Sequence, residues 1–90
     1  MEESVFRLRK YVELLNDRDC LKIIYYLYRF NPHIPIKELS QNLDILEVQV
    51  ISCLDKLINS DIVVKTNEQG YSLTMFGRQE FKKLLTVPKN

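Results

Sequence analysis

The chain has 90 residues, 46% of them hydrophobic and 28% charged, with a formal net charge of +1. That is enough apolar material for one small core, and too little net charge for a general pull toward nucleic acid or membrane. A chain this short hides only roughly two-thirds of its unfolded surface, so a partner subunit is a natural source of added stability.

The first predicted element is a helix over residues 2–16, where Val5, Leu8, Val12 and Leu15 recur at three- and four-residue steps on one face. Phe6 and Leu14 fall off that face. Asn16-Asp17 then supplies a stop and a new N-cap. A second helix over 18–30 carries Cys20, Leu21, Ile24, Leu27 and Tyr28 on its main apolar face, and Ile23, Tyr26 and Phe30 on a second stripe. A helix apolar on two sides is expected to be sandwiched, within the fold or between subunits.

Asn31-Pro32-His33-Ile34-Pro35 reads as a rigid turn. A short helix follows with Ile36, Leu39 and Leu43 inward, then a tight turn at residues 42–44, where Asn and Asp tolerate the left-handed region. The next helix, over 46–59, points Val50, Cys53, Leu54 and Leu57 inward. From Asp61 the period changes to two. Ile62, Val64 and Thr66 alternate with Val63 and Lys65, residues 67–70 are turn chemistry, and Tyr71 and Leu73 alternate again, which predicts a β-hairpin. Thr74 is placed to cap a last helix, 75–85, that buries Phe81, Leu84 and Leu85.

The expected fold is therefore mainly α with one small β-hairpin, in a single domain spanning residues 1–90. The order from residue 36 on, with two helices joined by a three-residue turn and then a hairpin, is that of a winged helix-turn-helix. Residues 18–85 resemble the winged helix-turn-helix regulators of the ArsR and MarR type. The resemblance rests on the aliphatic helix Leu21-Lys22-Ile23-Ile24-Tyr25-Tyr26-Leu27 and on Ile36-Lys37-Glu38-Leu39-Ser40-Gln41-Asn42-Leu43-Asp44-Ile45. It continues through Val50, Leu54 and Leu57, the exit Ser60-Asp61-Ile62-Val63, and Tyr71-Ser72-Leu73-Thr74-Met75-Phe76-Gly77. It implies a homodimeric transcription regulator that binds double-stranded DNA, with the helix over 46–59 in the major groove and the wing, 61–74, on the backbone or minor groove. The helix-turn-helix is then 36–59, and helix 2–16 is the dimerisation element with help from helix 75–85. The sequence departs from the family at Leu46, where a capping Ser or Thr is usual, and at Asp44, where Gly is usual. Metal sensing is not carried over, because no paired thiols or His/Asp cluster is visible; metal ligands are expected to be none.

With Val50, Leu54 and Leu57 inward, Val48, Ser52, Asp55 and Asn59 form the outward line, flanked by Gln49 and Lys56 on one edge and Ile51 on the other. Gln49 and Ser52 suit base edges, and Val48 suits a thymine methyl. Lys37, Lys56 and Lys65 are candidate phosphate contacts, and Phe6, Leu14 and Tyr26 are candidate dimer-interface residues. The charge runs the other way: residues 44–74 carry a net −3, and residues 75–90 a net +3. That acidic balance, with Val48 and Ile51 outward, supports the alternative of a winged helix used for contact with another protein.

Cys20 and Cys53 stand 33 positions apart without a CxxC, so two reduced, buried thiols are expected rather than a disulfide framework. His33 is the single imidazole, and no catalytic constellation is visible, so no enzyme and no cofactor are expected. No apolar run approaches the about 20 residues of a membrane span. The start, Met1-Glu2-Glu3-Ser4, is acidic and unlike a signal peptide, which predicts a cytoplasmic protein.

Overall fold

Asp17 caps the helix that starts at Arg18, as its side-chain chemistry predicts: its Oδ1 accepts hydrogen bonds from the backbone N–H of Asp19 at 3.0 Å and of Cys20 at 3.3 Å. The computed structural model describes residues 17–30, 33–66 and 70–85. The predicted helix over 2–16, with Phe6 and Leu14, lies outside them, as do Asn31, Pro32 and residues 67–69 of the hairpin tip. The elements in chain order are α1 (Arg18–Arg29), α2 (Ile36–Leu43), α3 (Glu47–Asn59), β1 (Val63–Lys65), β2 (Tyr71–Leu73) and α4 (Met75–Leu85). The described chain is thus mainly helical, with one antiparallel hairpin.

α1 is the central element and packs against α2, α3, α4 and β2. Cys20, Ile23, Ile24 and Leu27 of α1, Leu39 of α2, and Val50, Cys53, Leu54 and Leu57 of α3 are buried in one core with Ile62, Val63, Leu73 and Phe81. Each such aliphatic side chain contributes roughly 1.5–3 kcal/mol relative to exposure. The division of α1 into two stripes is corrected in two places. Ile23 belongs to the core rather than to a second face, and Leu21 is exposed rather than inward. Phe81 of α4 packs edge-on against Tyr25 and at a tilt against Tyr28, so α4 meets α1 through these aromatic rings.

α2 ends on Asp44, whose φ of 56° and ψ of 50° place it in the left-handed region, with its N–H donating to the Ser40 carbonyl. The Ser40 hydroxyl donates to the Ile45 carbonyl at 2.5 Å and closes the turn into α3. Leu46 occupies the N-cap of α3 and supplies no side-chain hydrogen bond.

In the hairpin, Val63 pairs with Leu73, Val64 with Ser72 and Lys65 with Tyr71. Val63 is the buried position of β1 and Val64 is exposed, so Ile62 and Val64 do not share an inward face. Ile62 is buried just before the strand begins, where its carbonyl accepts from the N–H of Thr74 at 2.9 Å. The predicted turn before α2 holds more structure than its prolines suggest. Ile34 and Tyr71 exchange N–H···O bonds of 3.0 and 2.8 Å, which adds an isolated antiparallel bridge beside β2.

Thr74 caps α4, its Oγ1 accepting from the N–H of Gly77 at 2.9 Å. The same hydroxyl donates to the Asp61 carbonyl at 2.6 Å, tying the start of α4 to the exit from α3. Phe81 is buried, but Leu84 and Leu85 are 44% and 52% exposed, contrary to the helical spacing that put them inward. No helix among the described residues is long and apolar enough to cross a membrane.

Candidate functional site

The buried row Val50, Cys53, Leu54 and Leu57 fixes the roll of α3, because a helix with four residues locked in a core has one way to face outward. The outward side carries Val48, Gln49, Ser52, Asp55, Lys56 and Asn59, all exposed as the spacing requires. Apolar groups stand among them: Leu46 is 76% exposed, Val48 73% and Ile51 43%. Lys37 at the start of α2 and Lys65 on β1 are both exposed. Lys56 is partly committed, with Nζ 3.7 Å from the Asp17 carboxylate. Arg78 is turned inward, its guanidinium 5.4 Å from the Tyr28 ring centroid, so it is a packing group rather than part of a solvated basic face.

Tyr26 is engaged within the chain. Its hydroxyl donates to Glu38 Oε2 at 2.7 Å and accepts from Asn42 Nδ2 at 2.9 Å, pinning α1 to α2. The Glu38 carboxylate holds the phenol protonated above its ordinary range. The ring also stacks against Phe30, with centroids 4.7 Å apart.

Two groupings escape the sequence reading. The first is an apolar groove of about 530 Å³ between α1 and α4, lined by Leu21, Tyr25, Phe81, Leu84 and Leu85 and rimmed by Arg18 and Lys22. The second is a pair of thiols. Cys20 on α1 and Cys53 on α3 are both fully buried, and their sulfurs and a carboxylate oxygen of Asp17 lie within 4.8 Å of one another. Burial raises the pKa of both thiols. The expectation of two buried thiols holds, but the expectation that the chain has no paired thiols does not. Each cysteine was legible as inward on its own helix; that the two helices cross at these residues was not.

No protein-family model matches this sequence, and no curated protein matches it.

Proposed function

We propose that the chain is a winged helix-turn-helix protein that binds double-stranded DNA as a homodimer and regulates transcription. The observation that carries this reading is the uncovered outer row of α3, with Gln49 and Ser52 at its centre and Lys37 and Lys65 exposed on the two neighbouring elements. The element order, the bridge of Ile34 to Tyr71 beside the hairpin, and the Asp44 turn between α2 and α3 agree with a winged-helix arrangement. In this reading Gln49 and Ser52 meet base edges, Val48 a thymine methyl, and Lys37, Lys56 and Lys65 phosphates. Dimerisation uses residues 1–16 together with α4, whose Leu84 and Leu85 are left exposed along the groove.

A second reading has its own support. Residues 44–74 carry a net −3, and Leu46, Val48 and Ile51 are exposed among those acidic groups. Phosphate neutralisation dominates DNA affinity, so an acidic reading helix works against it, whereas apolar anchors with a charged rim suit a protein partner.

The deciding experiment is a duplex titration at two salt concentrations with random-sequence competitor. Six phosphate contacts per dimer give a log–log salt slope of about −5. Lys65→Ala weakens all sequences alike, whereas Gln49→Ala costs about 1–3 kcal/mol at one base position. Absence of any salt-dependent binding would reject the DNA reading.

A further inference from the structure

We propose that Cys20, Cys53 and Asp17 form a binding site for a divalent thiophilic metal ion, of which Zn²⁺ is the best-fitting member. The three ligand atoms already converge to within 4.8 Å of one another. Around one tetrahedral zinc, bond lengths of about 2.3 Å to sulfur and about 2.0–2.2 Å to oxygen put neighbouring ligand atoms about 3.5–3.8 Å apart. Binding an ion would draw these atoms together by up to about 1 Å. Two thiolates and one carboxylate leave a fourth position, which water can occupy.

The carboxylate is oriented for the task. Asp17 Oδ1 is held by the N–H groups of Asp19 and Cys20, which fixes the carboxylate, and Oδ2, 3.7 Å from Lys56 Nζ, is the oxygen a metal ion would share with or take from that lysine. Fixing a ligand through its second oxygen is how outer contacts preorganise metal sites. Both thiols are fully buried, while the Asp17 side chain is 29% exposed and is the ligand nearest solvent.

Charge selects the valence. Asp19 on α1 and Lys56 on α3 are the other charged groups that act on the thiols. Lys56 already offsets the Asp17 carboxylate at 3.7 Å. Binding exchanges two thiol protons, released to solvent, for one ion of charge +2, so the net charge of this site does not change. A monovalent ion would leave an uncompensated negative charge beside Asp19, and a hard cation such as Mg²⁺ has no use for buried sulfur. The site lies on the reverse of the exposed row of α3, so it is separate from the surface proposed to bind DNA.

The test is a titration of the full chain with Co²⁺ and then Zn²⁺, in a phosphine reductant at pH 8. The expected result is a thiolate-to-cobalt charge-transfer absorption saturating at one equivalent, its bleaching by Zn²⁺, and release of about two protons per ion. Asp17→Asn preserves the N-cap, and is expected to weaken binding about 10-fold or more without loss of helical circular dichroism. Cys20→Ala and Cys53→Ala are each expected to abolish the absorption. The proposal is overturned if the wild-type chain gives no charge-transfer band, if the band survives either cysteine change, or if no protons are released. A disulfide that forms without reductant, together with no band in its presence, would make the pair a redox couple and also overturn it. The wild-type band and Asp17→Asn decide the matter even if the cysteine variants fail to fold.

Discussion

The carbonyl oxygen of Ile62 occupies the space that a Cβ on Gly77 would need. Gly77 sits in the first turn of α4, where its N–H is bound by the Thr74 hydroxyl, and that hydroxyl donates in turn to the carbonyl of Asp61. The close approach lets the helix start dock directly on the chain leaving α3. Helix propensity alone favours Ala over Gly by about 1 kcal/mol. Here the obstacle is backbone, which cannot swing aside. Gly77→Ala is therefore expected to destabilise by about 1–3 kcal/mol, as overpacking does. A urea midpoint raised by the substitution would show that the docking is looser than described.

Asp44 holds the turn between α2 and α3 in the left-handed region, a conformation that costs an L-residue roughly 1–2 kcal/mol. Asp is among the residues that tolerate it; a β-branched side chain is not. Asp44→Val is expected to lower stability by about 1–2 kcal/mol, and Asp44→Gly to change it by less than about 1 kcal/mol. Thermal unfolding of the two variants side by side checks the ordering, and equal midpoints would contradict it.

The elements were legible because each is specified locally. Asp17 and Thr74 are capping residues at helix starts, Asp44 tolerates the left-handed turn, and Val50, Cys53, Leu54 and Leu57 repeat at helical spacing. What was not legible depends on how elements cross. Leu21, Leu84 and Leu85 are apolar at helical spacing, yet they line a groove between α1 and α4 instead of a closed seam. Tyr26 reads as a dimer-interface residue off the main face of its helix, and its bonds to Glu38 and Asn42 of α2 show only once the two helices are brought together. The pairing of Cys20 with Cys53 joins residues 33 positions apart, and no spacing rule encodes a helix crossing.

The buried thiols make stability fall with alkali. Both thiols have folded-state pKa values raised above the unfolded range, chiefly by desolvation. Below about pH 8.5 native and unfolded thiols are equally protonated, and the chain keeps its full stability. Above that pH the unfolded thiols ionise while the native ones stay protonated, so the native state binds more protons and the slope of stability with pH is negative. The loss is expected to reach about 1.4 kcal/mol per pH unit for each thiol until the folded groups titrate. Denaturant melts between pH 7.5 and 10.5, on metal-free reduced protein, measure it. Cys53→Ala should remove about half of the slope, and an unchanged slope would assign the effect to other groups.

Val48 and Asp55 on the outer row of α3 separate the two readings of that surface. Val48 is 73% exposed and Asp55 is exposed beside it, and neither contributes to the buried row, so Val48→Ser with Asp55→Lys should leave the fold intact. On a DNA reader, replacing an anion by a cation near phosphates adds about one favourable contact per subunit and removes one repulsion. Non-specific affinity should rise and its salt dependence should steepen by about two units of log–log slope for a dimer. On a protein reader the same change removes an apolar anchor and inverts a charge on its rim, so capture of the partner should weaken and its association rate fall. The two responses differ in sign, and one fluorescence-anisotropy titration of a random duplex separates them. If the double variant binds duplex DNA no better than a parent that fails to bind, α3 is not a DNA-reading helix, and its exposed Leu46, Val48 and Ile51 are left as the anchors of a protein interface.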